Sequence, residues 1–170
     1  MNSNIAHIVY ASDNGFAEIL GVSLVSLYEN SRDMDEIHVY ILDSGIEDDN
    51  RRKLECITSK YGRSGIVWIQ ARNISEVLSM KVSTDRGSIS QYARLFVSST
   101  LPENLDRVLY LDCDVVLMKS IRNLWNFDIH GKTAGALLDA FSPQYRANIN
   151  LNHIILGEAN GKSKRNPPYE

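Results

Sequence analysis

Two carboxylates stand one residue apart in Asp112-Cys113-Asp114, directly after the apolar run Val108-Leu109-Tyr110-Leu111. Oxygen donors at that spacing can chelate a hard cation such as Mg²⁺ or Mn²⁺ and leave coordination positions open for phosphate oxygens. The competing reading is a pair of strand-end aspartates that bind backbone amides, and spacing alone weighs the two about evenly. The apolar residues on both sides, Val108 to Leu111 and Val115 to Met118, tip the balance toward a site. Acids placed in a core strand without partners cost stability, so a fold rarely interrupts such a strand with two of them for nothing.

Three further charged residues occupy positions where chemistry is feasible. Asp13 follows the first apolar run and precedes a helical pattern. That is the carboxyl end of a strand, where open α/β sheets bind ligands, and the acid could hydrogen-bond a base or ribose. A helix N-cap is the commoner use of Asp there and is favoured on position alone. Arg94, between Tyr92-Ala93 and Leu95, can grip a carboxylate or phosphate with two prongs or simply face solvent. Asp139, at the end of Thr133-Ala134-Gly135-Ala136-Leu137-Leu138, has the same ambiguity as Asp13. His7, His38, His130 and His153 are scattered, and each reads as an ordinary core or surface histidine rather than a ligand. G-x-G-x-x-G, G-x-x-x-x-G-K-[ST] and G-x-S-x-G are all absent, which removes the main support for dinucleotide oxidoreductase, P-loop and serine-hydrolase readings.

The elements that must hold these residues alternate between strand and helix. Ile5 to Tyr10 is β-rich and ends in the turn-forming Ser12-Asp13-Asn14-Gly15; Phe16, Ile19, Leu20, Leu24, Leu27 and Tyr28 then recur at helical spacing. Glu36 to Leu42 reads as the second strand. Ser44 and Glu47 have capping-box spacing ahead of a helix through Leu54, Ile57 and Tyr61 that Gly62 can stop, and Ile66 to Ile69 reads as a third strand. Residues 73–86 read as a loop with a short helix near Ser75 to Ser79. Ser88 and Gln91 open a further helix that Pro102 ends. Val108 to Leu111 reads as a strand buried on both faces, resumed after the acids by Val115 to Met118, and Thr133 to Leu138 as another. This order predicts an α/β fold with a mostly parallel sheet and helices on both faces.

With 170 residues, 44% of them hydrophobic, the chain reads as one domain spanning 1–170. A formal net charge of −3 offers no basic surface for nucleic acid. It also makes a carboxylate-held cation one means of accepting an anionic nucleotide. Cys56 and Cys113 are far apart and lack C-x-x-C spacing, so a reducing, cytoplasmic setting is expected, with no transmembrane segment. From Gly157 the chain turns polar and rich in breakers and stops as if cut inside a loop.

Val9-Tyr10-Ala11-Ser12-Asp13-Asn14, then Tyr92-Ala93-Arg94-Leu95, then Val108 through Asp112-Cys113-Asp114 to Val116, together resemble family 8 glycosyltransferases. These are the retaining enzymes related to bacterial lipopolysaccharide galactosyl- and glucosyltransferases and to glycogenin. Running in order from about Ile5 to Asp139, the resemblance is far more specific than a lone D-x-D. It implies a Rossmann-like GT-A fold and a metal-dependent hexosyltransferase that moves a hexose from UDP-glucose or UDP-galactose to a saccharide or glycolipid acceptor. Lipopolysaccharide or cell-surface polysaccharide synthesis is the implied setting, with the full-length protein cytoplasmic or peripheral to a membrane. By the same resemblance Asp13 would read uracil, with Ala11, Ser12 and Asn14 lining the pocket and the Cys113 backbone near the ribose. Arg94 and Asp139 would hold the donor sugar, and Asp112 and Asp114 would bind Mn²⁺ or Mg²⁺. The family's acceptor strand and its later His-x-x-Gly-x-x-Lys-Pro-Trp segment are absent, and His153 does not match that histidine. The expected chain is therefore a nucleotide-sugar-binding domain lacking its acceptor and metal-histidine portion. A UDP-binding module without turnover is the alternative, and a nucleotidyltransferase, which would need a basic triphosphate grip, is weaker still.

Overall fold

The computed structural model describes residues 4–71 and 97–135. By its internal contacts the chain divides into two compact units, Met1–Asn126 and Phe127–Glu170.

Among the described residues the first unit is built on four parallel strands, β1 (Ile5–Ser12), β2 (Glu36–Asp43), β3 (Val67–Gln70) and β4 (Leu109–Tyr110), in the order β3-β2-β1-β4. Between them run α1 (Ala17–Asn30), preceded by a 3₁₀ turn at Asn14–Phe16, and α2 (Asp48–Lys60). Two one-turn helices follow among the described residues, α3 (Val97–Thr100) and α4 (Arg122–Trp125). The α/β expectation is met.

Why β1 and β2 carry nearly unbroken apolar runs is clear from the two cores. Ala6, Ile8, Tyr10, Ile37, Val39 and Ile41 lie against Leu20, Leu24 and Leu27 of α1 and Leu54 of α2. Val9, Ala11, Tyr40 and Leu42 meet Val97, Leu101, Leu105 and Val108 in a second cluster. Strands covered on both faces have no solvent side on which to alternate polar residues. The α1 stripe Leu20, Leu24 and Leu27 is fully buried, and each such side chain contributes about 1.5–3 kcal/mol. Gly21 of α1 faces α2, where a Cβ would be in van der Waals contact with Ile57 Cδ1 at 3.4 Å.

Gly62, at φ +63°, stops α2 as expected. Its N–H donates to the Ser59 carbonyl at 3.0 Å and the Arg63 N–H to Thr58 at 3.2 Å, which satisfies two end carbonyls in a Schellman arrangement. Asp48 and Asp49 in the first turn and Lys60 in the last complement the helix dipole.

Two expectations are corrected. The Ser44–Glu47 capping box does not form, because Glu47 is itself the N-cap and its side chain makes no capping bond. Instead the Glu47 N–H donates to Asn14 Oδ1 at 3.0 Å and the Ser44 N–H to the Ser12 carbonyl at 2.9 Å, so partners from the β1 turn replace the local ones. Val115 to Met118 is not a strand. The chain turns at Cys113-Asp114, with the Val115 N–H donating to the Asp112 carbonyl. Ser26 Oγ then accepts from the Leu117 N–H at 3.0 Å and Asn30 Nδ2 donates to the Leu117 carbonyl at 2.9 Å. Polar side chains of α1 thus satisfy the backbone that a neighbouring strand would have paired.

Within the second unit, described through residue 135, the chain makes a tight turn in which His130 and Gly131 have φ of +52° and +70°. The Asp128 carboxylate accepts from the His130 N–H at 2.7 Å and lies 3.1 Å from His130 Nδ1. Thr133 to Gly135 are not in a strand; the rest of the strand expected there lies outside the described residues.

Candidate functional site

Because β1 is flanked by β2 on one side and β4 on the other, the chain reverses its direction of sheet growth between β1 and β4. Open parallel sheets bind ligands at the carboxyl ends of strands beside such a reversal. Ala11, Ser12, Asp13 and Asn14 complete or follow β1, while Asp112, Cys113 and Asp114 come within four residues of the end of β4. Val9 pairs with Tyr110, and the Leu111 N–H donates to the Val9 carbonyl at 3.0 Å, so the two segments leave the sheet side by side.

Cys113 ties them together. Its thiol donates to the Ala11 carbonyl at 2.9 Å, across 102 positions of sequence, and the side chain is buried. Burial raises the thiol's pKa; a hydrogen bond with Ser12 opposes this, and the charges of Asp112, Asp114 and Asp13 raise it further. Three carboxylates from two segments therefore act on one thiol, and the S–H stays protonated as the donor that the Ala11 carbonyl requires.

The acids themselves face outward. Asp112 and Asp114 are exposed, and Asp13 is half-buried. Asp13 Oδ1 accepts from the Phe16 N–H at 3.3 Å, which makes it the N-cap of the 3₁₀ turn. The capping use of Asp13 is thus realised, and its side chain still lies at the carboxyl edge. Ser12 is buried, its hydroxyl donating to the Asp13 carbonyl at 3.2 Å. Asn14 Oδ1 accepts from the Glu47 N–H and from Asn50 Nδ2 at 2.9 Å, so this oxygen holds the start of α2.

The donor set at Asp112 and Asp114 consists of hard oxygens on exposed side chains, which suits Mg²⁺ or Mn²⁺. Among the described residues no group of three or more His, Cys, Asp or Glu is placed to hold a metal ion. The pair fits such a cation as a two-carboxylate grip that leaves positions open. Arg94, Asp139 and His153 lie outside the described residues.

One acid at this edge escapes a reading of the sequence. Asp43 ends β2, pairs in register with Ser12 and is 1% exposed. Its Oδ1 accepts from the N–H groups of Gly45 and Ile46 at 2.8 and 2.7 Å. Its Oδ2 is bound by the Arg51 guanidinium, which lies over the Trp68 ring at 5.2 Å. The signal was present, an acid before Ser-Gly at the end of an apolar run, but a strand drawn to end at Leu42 passes over it. Asp43 is saturated by structural partners, and its place is to hold the β2 turn beside the site.

Comparison with known proteins agrees with this geometry. A family model described as glycosyl transferase family 8 matches residues 7–164. General stress protein A of Bacillus subtilis (strain 168) is 32% identical over 138 residues, 80% of this chain and 47% of that protein. The lipopolysaccharide 1,2-glucosyltransferase of Escherichia coli (strain K12) is 28% identical over 146 residues, 85% of this chain and 42% of that protein. The crystal structure of the galactosyltransferase LgtC in complex with donor and acceptor sugar analogs superposes with a TM-score of 0.72 at 30% identity, covering 85% of this chain and 52% of LgtC. This chain thus spans about half the length of the relatives it matches, and its mostly parallel sheet is that of the GT-A fold. With the match running through both the β1 turn and the Asp112-Cys113-Asp114 turn, the chain belongs to glycosyl transferase family 8.

Proposed function

We propose that the whole protein transfers a hexose from UDP-glucose or UDP-galactose to a saccharide or glycolipid acceptor, with retention of anomeric configuration and with Mn²⁺ or Mg²⁺. The observation that carries this reading is the tie between Cys113 and Ala11, which brings Asp13 to the same edge as Asp112 and Asp114. A nucleotide laid across that edge would meet a hydrogen-bond acceptor at one end and a pair of cation-binding carboxylates at the other.

In this reading Asp13 accepts a hydrogen bond from the uracil ring N–H. Ala11, Ser12 and Asn14 shape the pocket, Asn14 through the backbone because its side-chain oxygen is committed to α2. Cys113 presents its backbone toward the ribose while its thiol fixes the turn. Asp112 and Asp114 hold the divalent cation, which when bound neutralises the diphosphate and so stabilises the departing UDP. Arg94 and Asp139 are assigned to the donor sugar by family resemblance alone.

A second reading for this chain, which spans about half the length of its relatives, is a UDP- or UDP-sugar-binding module without turnover. One experiment separates the two: release of UDP and of labelled hexose from UDP-glucose and UDP-galactose, comparing this chain with a version carrying the length found in its relatives. Turnover only by the longer protein supports the proposal. No turnover by either, with UDP still bound, supports the module.

A further inference from the structure

At the end of the sheet away from the acids, near the amino ends of β1 and β2, two histidines stand side by side. His7 and His38 are register partners on adjacent strands, both half-buried and so open to solvent. Their rings are 16° from parallel with centroids 5.1 Å apart. We propose that His7 and His38 form a two-imidazole site for a borderline divalent cation, zinc foremost, separate from the hard-cation grip at Asp112 and Asp114.

Three observations carry this. The first is spacing. With metal–nitrogen bonds of about 2.0–2.1 Å and tetrahedral angles, two imidazoles on one zinc ion have centroids roughly 5 Å apart. The strands already hold these rings at that separation, and turning the His38 ring out of the stack about χ2, a soft torsion, would bring its nitrogen toward the Nε2 side of His7, whose own orientation the Tyr40 bond keeps. The second is orientation. Nδ1 of His7 lies 3.2 Å from the Tyr40 hydroxyl. When Nδ1–H donates to that oxygen, the Nε2 lone pair is left for the metal, the outer support that ligating histidines usually have.

Charge supplies the third. The Glu36 carboxylate, at the start of the same strand as His38, interacts electrostatically with that imidazole and favours a cation beside it. It already accepts from the Ile37 N–H at 2.8 Å, so its part is through the field. Imidazole nitrogens prefer Zn²⁺, Cu²⁺ and Ni²⁺ over Mg²⁺, so the two ends of the sheet would sort cations by hardness. Water would fill the remaining positions.

The test is calorimetric titration of the full chain with Zn²⁺ in a large excess of Mg²⁺, which occupies the carboxylates. One equivalent should bind. His7→Gln and His38→Gln should each weaken it about tenfold or more, Tyr40→Phe should weaken it less, and Asp112→Asn should leave it unchanged. Zinc affinity unaltered in both histidine variants, or lost on adding Mg²⁺ or in Asp112→Asn, would overturn the proposal. Should either variant fail to fold, nitrogen-15 spectra of the unmodified protein decide. Zinc must shift the imidazole resonances of His7 and His38 and not those of His130 and His153, and unmoved resonances at 7 and 38 would reject the site. Since Asp112→Asn separates the two ends of the sheet, failure here leaves the glycosyltransferase reading intact.

Discussion

The Cys113 thiol donates to the Ala11 carbonyl at 2.9 Å, so the turn that carries two acids is bonded to the strand end that carries a third. Sulfur–oxygen hydrogen bonds are weak individually. This one lies between two buried residues, where water competes little for either partner. It joins two segments that also meet through the short pairing of β1 with β4.

Asp112→Asn should abolish the metal dependence of UDP binding. Calorimetry with Mn²⁺ and with chelator should show tighter binding with metal in the unmodified chain and equally weak binding in the variant under both conditions. Equal affinity with and without metal in the unmodified chain would remove the bridging role of the carboxylates.

Asp13→Ala should weaken UDP binding by about 1–3 kcal/mol through loss of a charge-assisted hydrogen bond. Because Asp13 also caps the 3₁₀ turn, the variant should lose about 0.5–2 kcal/mol of stability as well. Asp13→Asn keeps a capping oxygen but loses the charge, so urea unfolding should recover while UDP affinity stays low. If both properties recover together, the residue acts only as a cap.

Arg51→Met should destabilise the fold by about 2 kcal/mol or more in urea unfolding, since it leaves the Asp43 carboxylate buried without its cation. Adding Asp43→Asn should return part of the loss, because the uncompensated charge is then gone. A neutral single variant would mean that the N–H groups of Gly45 and Ile46 suffice for Asp43.

His7 predicts a slope in stability against pH. Burial first, and His38 second, lower its pKa in the folded state, so between the folded and unfolded values the unfolded chain binds more protons. The contribution is complete above the unfolded value near pH 6.5 and is lost as pH falls through the folded one. Urea midpoints from pH 8 to 5 should therefore decline more steeply in the unmodified protein than in His7→Gln. Parallel curves would show that the histidine is not perturbed.

Much of this molecule is determined by residues close together in the sequence. The strand and helix order follows from local periodicity, the stop of α2 from a glycine that alone enters a positive φ cheaply, and the paired carboxylates Asp112 and Asp114 from a spacing of two. What the tertiary structure decided are relations between distant segments. Asn14 replaces Ser44 as the partner at the start of α2, and Ser26 with Asn30 takes the backbone of Leu117 out of a strand. Asp43 becomes a buried ion-pair partner, and His7 meets His38 across two parallel strands. Local pattern states which groups need a partner, because each backbone amide and buried charge must be satisfied. Which of several chemically equivalent partners arrives is decided only when the sheet order and register bring one of them within hydrogen-bonding distance.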